Sequence, residues 1–271
     1  MNPIMFTIGN FEVRWYSILI LIGVIIAYEI AEFEAKKYKA PKDFMFNLTF
    51  WSVIFGLIGA RIYYVVFNWS LYSHDLLSIF KFWEGGLAIH GGLLFGLITM
   101  FIYCKKYKVR LLKITDIVVP GLILAQAIGR WGNFFNSEAH GAVTSLLSLK
   151  EKWWIPQFVI DGMYINGVYY VPTFYYESLW CLLGFVIMLF IRNRKKTKVG
   201  TLTAFYLMWY SIGRFFIEAS RTDSLMLFGF KVAQIVSILL FIIGLIMLMI
   251  NSRKSPFDDN YKETNLDNIR F

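Results

Sequence analysis

The sequence predicts an all-α polytopic membrane protein with about seven transmembrane helices and a small cap outside the membrane. Of the 271 residues, 58% are hydrophobic, whereas soluble domains average about 45–50%. The apolar residues form runs of roughly 20 residues, which is the length that a bilayer-crossing helix needs. Basic clusters lie in every second connection between these runs. These three observations indicate one transmembrane domain, residues 1–251, followed by a polar tail at residues 252–271.

Seven apolar runs define the predicted spans, and no internal repeat relates them. They cover residues 14–33, 45–68, 86–104, 114–131, 173–191, 200–220 and 230–250.

The charged residues between the spans predict the orientation of the chain. Four basic clusters, beginning at Lys36, Lys105, Arg192 and Arg253, alternate with connections that contain few basic residues, at 69–85, 132–172 and 221–229. Because cytoplasmic loops carry the excess of Lys and Arg, we expect the N-terminus outside and the C-terminus in the cytoplasm. The net charge of +9 then reflects the basic residues that orient the spans in the membrane, and no nucleic-acid partner is expected.

The longest outer connection, residues 132–172, is predicted to form an extracytoplasmic cap. Asp161-Gly162 and Asn166-Gly167 have turn composition, and alternation from Tyr164 to Tyr170 is typical of a hairpin. The tail after residue 251 is polar and mixed in charge, so we expect it to be disordered.

Charged side chains inside the spans are the main functional signal, because each costs about 2.5–3.5 kcal/mol at the bilayer centre on insertion scales. At 1.5 Å per residue, Arg130 and Arg214 lie about 24 and 21 Å along spans that start inside. Most of the set is therefore predicted to gather near the outer face, whereas Asp116 lies near the cytoplasmic end. The set comprises Arg61, Asp116, Arg130, Glu177, Arg214 and Glu218, with Tyr16 and His90 at comparable outer depth.

Several interpretations fit this polar cluster. Tyr210, Arg214 and Glu218 share one helix face by their spacing, and ion pairs that only hold helices together would explain a single pair. Three arginines and a histidine at one depth instead favour a phosphate pocket, since guanidinium gives permanent charge and paired hydrogen bonds. A transporter or channel for an anionic solute and a non-catalytic lipid-binding scaffold remain alternatives.

Two stretches differ from ordinary transmembrane sequence. Residues 85–92 read Gly-Gly-Leu-Ala-Ile-His-Gly-Gly; the glycines suit close helix packing, which does not explain His90. Residues 129–141 read Gly-Arg-Trp-Gly-Asn-Phe-Phe-Asn-Ser-Glu-Ala-His-Gly. A helix end needs one Gly or Asn, so this density of polar groups indicates a site.

The second stretch resembles the signature of the bacterial prolipoprotein diacylglyceryl transferases, Gly-Arg-x-Gly-Asn-Phe-x-Asn-x-Glu-x-x-Gly, at every fixed position. The His-Gly-Gly stretch, the Tyr210/Arg214/Glu218 face, Trp15-Tyr16 and Tyr176-Glu177 are similar to that family as well. The resemblance spans about residues 5–250. In many members a His-Pro pair opens the stretch before Tyr176; here it is Val171-Pro172, so a role for that histidine cannot apply and more weight falls on His90.

The resemblance implies an enzyme of the bacterial cell membrane, active near the outer leaflet, in the first step of lipoprotein maturation. Its expected partners are phosphatidylglycerol, the lipobox cysteine of a prolipoprotein signal peptide, and membrane lipids. No cofactor or metal is expected, because the three histidines lack ligand spacing. The expected catalytic residues are His90, Arg130 and Arg214. The expected substrate-binding residues are Tyr16, Arg61, Asn133, Asn136, Glu138, Gly141, Glu177, Tyr210 and Glu218.

Overall fold

Long helices lie at all seven predicted spans in the computed structural model, which describes residues 2–9, 11–73, 75–81, 85–152, 154–221, 225–227, 229–253, 259–263 and 265–266. The long helices are α1 (Trp15–Lys37), α2 (Phe44–Phe67), α4 (Ile89–Lys106), α5 (Leu111–Phe135), α8 (Thr173–Asn193), α9 (Thr201–Ser220) and α10 (Val232–Ser252). The short ones are α3 (Trp69–Tyr72), α6 (Leu146–Lys150), α7 (Gln157–Gly162) and a 3₁₀ helix, Leu76–Phe80.

Four helices among the described residues, α2, α5, α8 and α10, are long and apolar enough to cross a membrane. The other long helices include charged residues, such as Glu29 and Glu32 in α1 and Arg214 and Glu218 in α9. A helical fold with several candidate spans is confirmed, while the count of seven spans and their orientation stay predictions.

The chain divides into two compact units. The first comprises Met1–Ala31 and Thr115–Glu263, in which α9 packs against both α8 and α10. Helices approach closely at small residues: a Cβ added at Gly244 would lie 2.8 Å from Ala204 O, and one at Gly121 would lie 2.7 Å from Ala27 O. Such contacts suit helices in lipid, where van der Waals packing replaces the hydrophobic driving force.

The second unit comprises Glu32–Ile114 and Thr264–Phe271. Here α2 packs on α4, again at glycines, since a Cβ at Gly56 would lie 3.3 Å from Gly92 O. The fully buried ammonium of Lys113 lies 3.2 Å from the centre of the Tyr38 ring, a cation–π contact. A basic residue of the predicted cytoplasmic loop is thus buried within this unit.

The predicted cap has a hairpin and an apolar core. Strands β3 (Val143–Thr144), β4 (Tyr164–Ile165) and β5 (Val168–Tyr170) form an antiparallel sheet in the order β3-β5-β4. Asn166 (φ 50°) and Gly167 (φ 88°) form the tight turn, which confirms the predicted hairpin. The predicted turn at Asp161-Gly162 is wrong, because these residues complete α7. The core comprises Phe134, Leu149, Ile155, Val159, Ile160, Met163 and Phe174.

Two further hairpins were not predicted, because their short apolar strands run into neighbouring helical segments. They are β1 (Ile4–Ile8) with β2 (Phe11–Arg14), and β6 (Met226–Leu227) with β7 (Phe230–Lys231).

Part of the polar tail is ordered, contrary to expectation. Tyr261 is fully buried, and its N–H donates to Thr197 O at 2.8 Å, while Val199 N–H donates to Asp259 O at 2.9 Å. These bonds attach residues 259–263 to the connection between α8 and α9. Residues 254–258, 264 and 267–271 lie outside the described residues.

Candidate active site

A buried carboxylate on α8 binds two arginines from two other helices. Glu177 is 3% exposed; its Oε1 lies 2.6 Å from Arg130 Nη2 on α5, and its Oε2 lies 3.4 Å from Arg214 Nη1 on α9. A single buried charge is unstable unless it is paired. Glu177 therefore holds the two predicted catalytic arginines side by side.

The polar face of α9 continues this cluster, as its spacing predicts. Arg214 Nη2 lies 2.7 Å from Glu218 Oε2, one turn later, and Arg221 Nε lies 4.0 Å from the same oxygen. The ammonium of Lys231 donates to the carbonyls of Glu218, Ala219 and Arg221 at 2.7, 3.1 and 2.8 Å. The C-terminal end of α9 is thus capped by a cation, the favourable sign there.

The cluster gathers several cations around two carboxylates. Arg130 and Arg214 contribute two positive charges that balance Glu177 and Glu218, and Arg221 and the Lys231 ammonium lie beside Glu218. Among the described residues, Arg130 forms its ion pair with Glu177 and its hydrogen bond with Tyr210 through Nη2 alone, so its other N–H groups can bind a ligand. An anion with several acceptor oxygens, such as a phosphate, fits this arrangement.

Tyrosines of α9 line the same network. The Tyr210 hydroxyl accepts from Arg130 Nη2 at 3.5 Å, a long bond, and its ring stacks on that of Tyr206 at 6.0 Å. Gln126 Nε2 donates to the Tyr206 hydroxyl at 2.8 Å. These contacts link α9 to α5 next to the arginines.

The signature stretch leaves α5 in a tight loop that collects side chains around one carboxylate. Asn133 Nδ2 and Asn136 Nδ2 donate to Glu138 Oε1 at 3.1 and 3.2 Å. Ser137 and Ala139 have φ of 53° and 56°, left-handed conformations that reverse the chain on either side of Glu138. Asn136 Oδ1 is buried, and no described residue donates to it. It is an acceptor available to a hydroxyl of a ligand.

The N-terminal end of α1 packs on this signature. Gly132 admits the Tyr16 ring, because a Cβ at residue 132 would collide with Tyr16 Cδ2. The Trp15 and Phe135 rings stack at 4.8 Å. Tyr16 also lies within electrostatic range of Glu138 and Arg130. The structure thus brings Tyr16 to Arg130 and the loop, and its binding of substrate stays a prediction.

Gly141 lies at a junction of backbone segments. Its N–H donates to Val171 O at 2.9 Å, and it forms a β-bridge with Arg221. A Cβ there would lie 3.0 Å from side-chain atoms of Thr173 and Val171. The glycine permits the signature loop to reach α8 and the end of α9, and direct substrate binding by Gly141 stays a prediction.

Arg61, in the second unit, binds backbone carbonyls. Its guanidinium donates to Ile79 O and Ser78 O at 2.8 Å, to Gly85 O at 2.7 Å, to Gly86 O at 3.0 Å and to Lys81 O at 3.4 Å. Gly85 and Gly86 have φ of 97° and 75°, and a Cβ at Gly86 would lie 2.5 Å from Arg61 Nη1. Arg61 therefore fixes the segment that leads to His90, and its predicted contact with substrate stays a prediction.

His90 is the second residue of α4 and is exposed. Its ring centre lies 6.1 Å from that of Tyr63 on α2. Access to solvent or ligand suits a group that must exchange protons. Its role as a base stays a prediction.

Asp116 has a structural role, consistent with its expected separate depth. Its Oδ2 accepts from Gly200 N at 2.6 Å, and its Oδ1 accepts from Thr203 N at 2.8 Å and Thr203 Oγ1 at 2.6 Å. The buried carboxylate thus caps the N-terminus of α9, where negative charge is stabilising. It orients the helix that carries Arg214.

Two residues in or beside the network, Arg221 and Ser178, were not predicted from the sequence. Arg221 follows Glu218 by three residues, a spacing that could have revealed it. Ser178, which accepts from Trp131 Nε1 at 3.2 Å and donates to Ala127 O at 2.9 Å, gave no signal. Small hydroxyl residues are common in membrane helices, and their partners depend on tertiary packing.

Comparison with known proteins agrees with this geometry. The family model for prolipoprotein diacylglyceryl transferase matches residues 3–250. A Staphylococcus haemolyticus protein named phosphatidylglycerol–prolipoprotein diacylglyceryl transferase is 51% identical over 92% of this chain and 87% of its own length. Proteins of the same name are 49% identical in Staphylococcus xylosus (93% and 90% covered) and 45% identical in Listeria innocua (99% and 96% covered). The chain therefore belongs to the prolipoprotein diacylglyceryl transferase family.

Proposed function

We propose that this chain transfers the diacylglyceryl group of phosphatidylglycerol to the lipobox cysteine of a prolipoprotein, the first step of lipoprotein maturation. The observation that carries this proposal is the pairing of Arg130 and Arg214 on the buried carboxylate of Glu177. The names of the relatives supply the two substrates. The two adjacent guanidinium groups suit the phosphate of the donor lipid.

The reaction is a displacement at carbon. The cysteine thiol loses its proton, the sulfur attacks the glyceryl methylene that bears the phosphate, and a C–S bond replaces the C–O bond. The departing glycerol phosphate takes the electron pair of the broken bond. Its phosphate, singly negative as a diester, thereby becomes a doubly negative monoester.

Two arginines stabilise the negative charge that develops on the leaving phosphate in this step. Interactions that strengthen as charge grows on the leaving oxygen lower the barrier, whereas equal binding of substrate and transition state does not. Arg130 and Arg214 act as fixed donors towards that phosphate. Because Glu177 holds both guanidinium groups before substrate arrives, little reorganisation is needed during the reaction.

The thiol requires a base, because a cysteine with its ordinary pKa of about 8.5 is mostly protonated at neutral pH. Imidazole is the side chain suited to accept a proton under those conditions. His90 is the proposed base. Its exposure at the second position of α4, where it can exchange a proton, supports this assignment.

The remaining residues bind the head group and orient the arginines. Glu138 is held by Asn133 and Asn136. The buried Asn136 Oδ1, to which no described residue donates, suits a glycerol hydroxyl. Tyr16 and Tyr210 supply phenol groups near the arginines, and Glu218 orients Arg214. Gly141 keeps the loop close to α8.

The proposed setting is a bacterial cell membrane crossed seven times, with the cap and the site on the outer side. The alternation of basic clusters supports this orientation. A prolipoprotein that emerges from the secretion machinery then meets the site from the outside.

A transfer assay tests the function. Purified protein in phosphatidylglycerol vesicles receives a lipobox peptide, whose mass is then measured. The expected result is a gain of one diacylglyceryl group, and a matched peptide with serine for cysteine should gain nothing. No gain with protein shown to be folded would refute the proposal, and flux of an anionic solute into the same vesicles would then favour a transporter.

A further inference from the structure

Two tryptophans link α8 to α9 close to Glu177. The Trp180 indole N–H donates to Trp209 O at 2.9 Å, and the Trp209 indole N–H donates to Trp180 O at 3.0 Å. Their rings stack with centres 4.1 Å apart, only 10° from parallel. We call this reciprocal pair, Trp180 with Trp209, the tryptophan clasp.

Two glycines provide the space for the clasp. Gly184 lies one turn after Trp180, and a Cβ there would collide with the Trp209 indole. Gly213 lies one turn after Trp209, and a Cβ there would collide with the Trp180 indole. Each ring therefore covers a glycine of the opposite helix, and an alanine at either position would displace a ring.

The clasp determines which residues of α8 and α9 face each other. Glu177 precedes Trp180 by about 4.5 Å along α8, and Arg214 follows Trp209 by about 7.5 Å along α9. A slip of α9 by one residue would move Arg214 by about 1.5 Å and turn it by about 100°. Either movement would separate Arg214 Nη1 from Glu177 Oε2, which are 3.4 Å apart.

Apolar packing alone would fix this register poorly. Lipid tails are as apolar as leucine, so helices in a bilayer gain little from burying apolar surface against each other. Two directional hydrogen bonds and a close stack are satisfied in one register only. The clasp thus supplies positional precision that the apolar contacts between α8 and α9 lack.

We propose that Trp180 and Trp209 are positioning residues of the transfer reaction, which keep Glu177 and Arg214 aligned for the leaving phosphate. The proposal rests on the proposed function. Positioning affects the chemical step, because a displacement of about 1 Å at a reacting group can cost roughly 10²-fold in rate. Loss of this positioning should leave recognition of the lipid head group largely intact.

The test replaces each indole by a ring without the N–H group. Trp180→Phe and Trp209→Phe should each lower kcat roughly tenfold while KM for phosphatidylglycerol changes less than about twofold. The double variant should resemble either single variant, because the two bonds form one unit. Trp51→Phe is the matched control: Trp51 lies exposed on α2, and its loss should leave kcat unchanged.

Spectroscopy shows whether the clasp is lost. Stacked indoles couple excitonically, and the resulting couplet in the far-ultraviolet circular dichroism should disappear in each Phe variant. If these variants fold poorly, Gly213→Ala retains both indoles, displaces one ring and should give the same loss of couplet and kcat.

Three outcomes would overturn the proposal. The first is loss of the couplet with kcat within about twofold of the unaltered chain. The second is independent losses that multiply in the double variant, which indicate ordinary packing. The third is no transfer by the unaltered chain, which refutes the proposed function itself and is thereby distinguished from the other two.

Discussion

Removing the charge of Glu177 is the perturbation that the geometry of the site makes most informative. Glu177→Gln keeps the shape of the side chain but leaves Arg130 and Arg214 without the carboxylate that they share at 2.6 and 3.4 Å. The net charge of the cluster rises by one unit. The free energy of unfolding and kcat should therefore both fall, whereas the affinity for phosphatidylglycerol should stay constant or rise.

The structure allows the stability change to be estimated. Loss of one partner of a buried ion pair costs about 3–5 kcal/mol, because the other charge is left buried. The arginine side chains are still 21% and 17% exposed, so water compensates part of that loss. We expect the free energy of unfolding to fall by about 2–3 kcal/mol, measured by thermal unfolding in detergent.

The catalytic change should be larger than the change in lipid binding. Without the carboxylate the guanidinium groups are no longer held in place, and kcat should fall roughly 10²-fold. KM for phosphatidylglycerol should stay constant or decrease, since the site becomes more positive. Transfer of diacylglyceryl to a lipobox peptide at varied lipid concentration gives both constants.

The matched control removes an exposed glutamate charge. Glu12 pairs with Arg14 at 3.5 Å, and the side chains are 48% and 58% exposed. Glu12→Gln should change the free energy of unfolding by less than about 0.5 kcal/mol and leave kcat unchanged. Equal behaviour of the two variants would refute the assignment of Glu177 as the organiser of the arginines.

Three further changes test other parts of the account. Arg61→Met should make residues 78–81 and 85–86 more sensitive to limited proteolysis, because five carbonyls lose their donor, and Arg61→Lys should restore only part of the protection; equal protection in all forms would contradict this. Asp116→Asn should lower the free energy of unfolding by about 1–2 kcal/mol through a weaker cap on α9, and an unchanged thermal midpoint would disprove the cap. Tyr261→Ala should release the tail to C-terminal proteolysis while transfer is retained, whereas an equally protected tail would show that Tyr261 does not hold it.

The helices could be predicted because the bilayer demands long apolar runs. Their ends could be placed less well: α1 continues to Lys37 and α5 to Phe135, beyond the predicted ends at residues 33 and 131. Hydropathy marks the part of a helix suited to lipid, whereas helical hydrogen bonding continues into polar sequence. The Asn166-Gly167 hairpin was predictable for a different reason, since its turn requires residues that tolerate positive φ.

The residues of the site could be predicted from their charge and depth, but their contacts could be predicted only where these are local. The shared face of Arg214 and Glu218 follows from helical spacing, and the pair is 2.7 Å apart. The two partners of Glu177 lie on α5 and α9, and nothing in the spacing of α8 identifies them. The same holds for Arg61. A charge in a membrane helix predicts that a partner exists, but it does not reveal that backbone carbonyls are the partners.

The most direct test of the central claim is transfer by Arg130→Ala in protein shown to be folded and membrane-inserted. Loss of one preorganised donor to a developing anion typically costs about 10²–10³-fold in kcat. We expect a loss of at least that size, with the lipobox peptide recovered at its original mass. Near-normal transfer would remove Arg130 from the mechanism and contradict its role as a donor to the leaving phosphate.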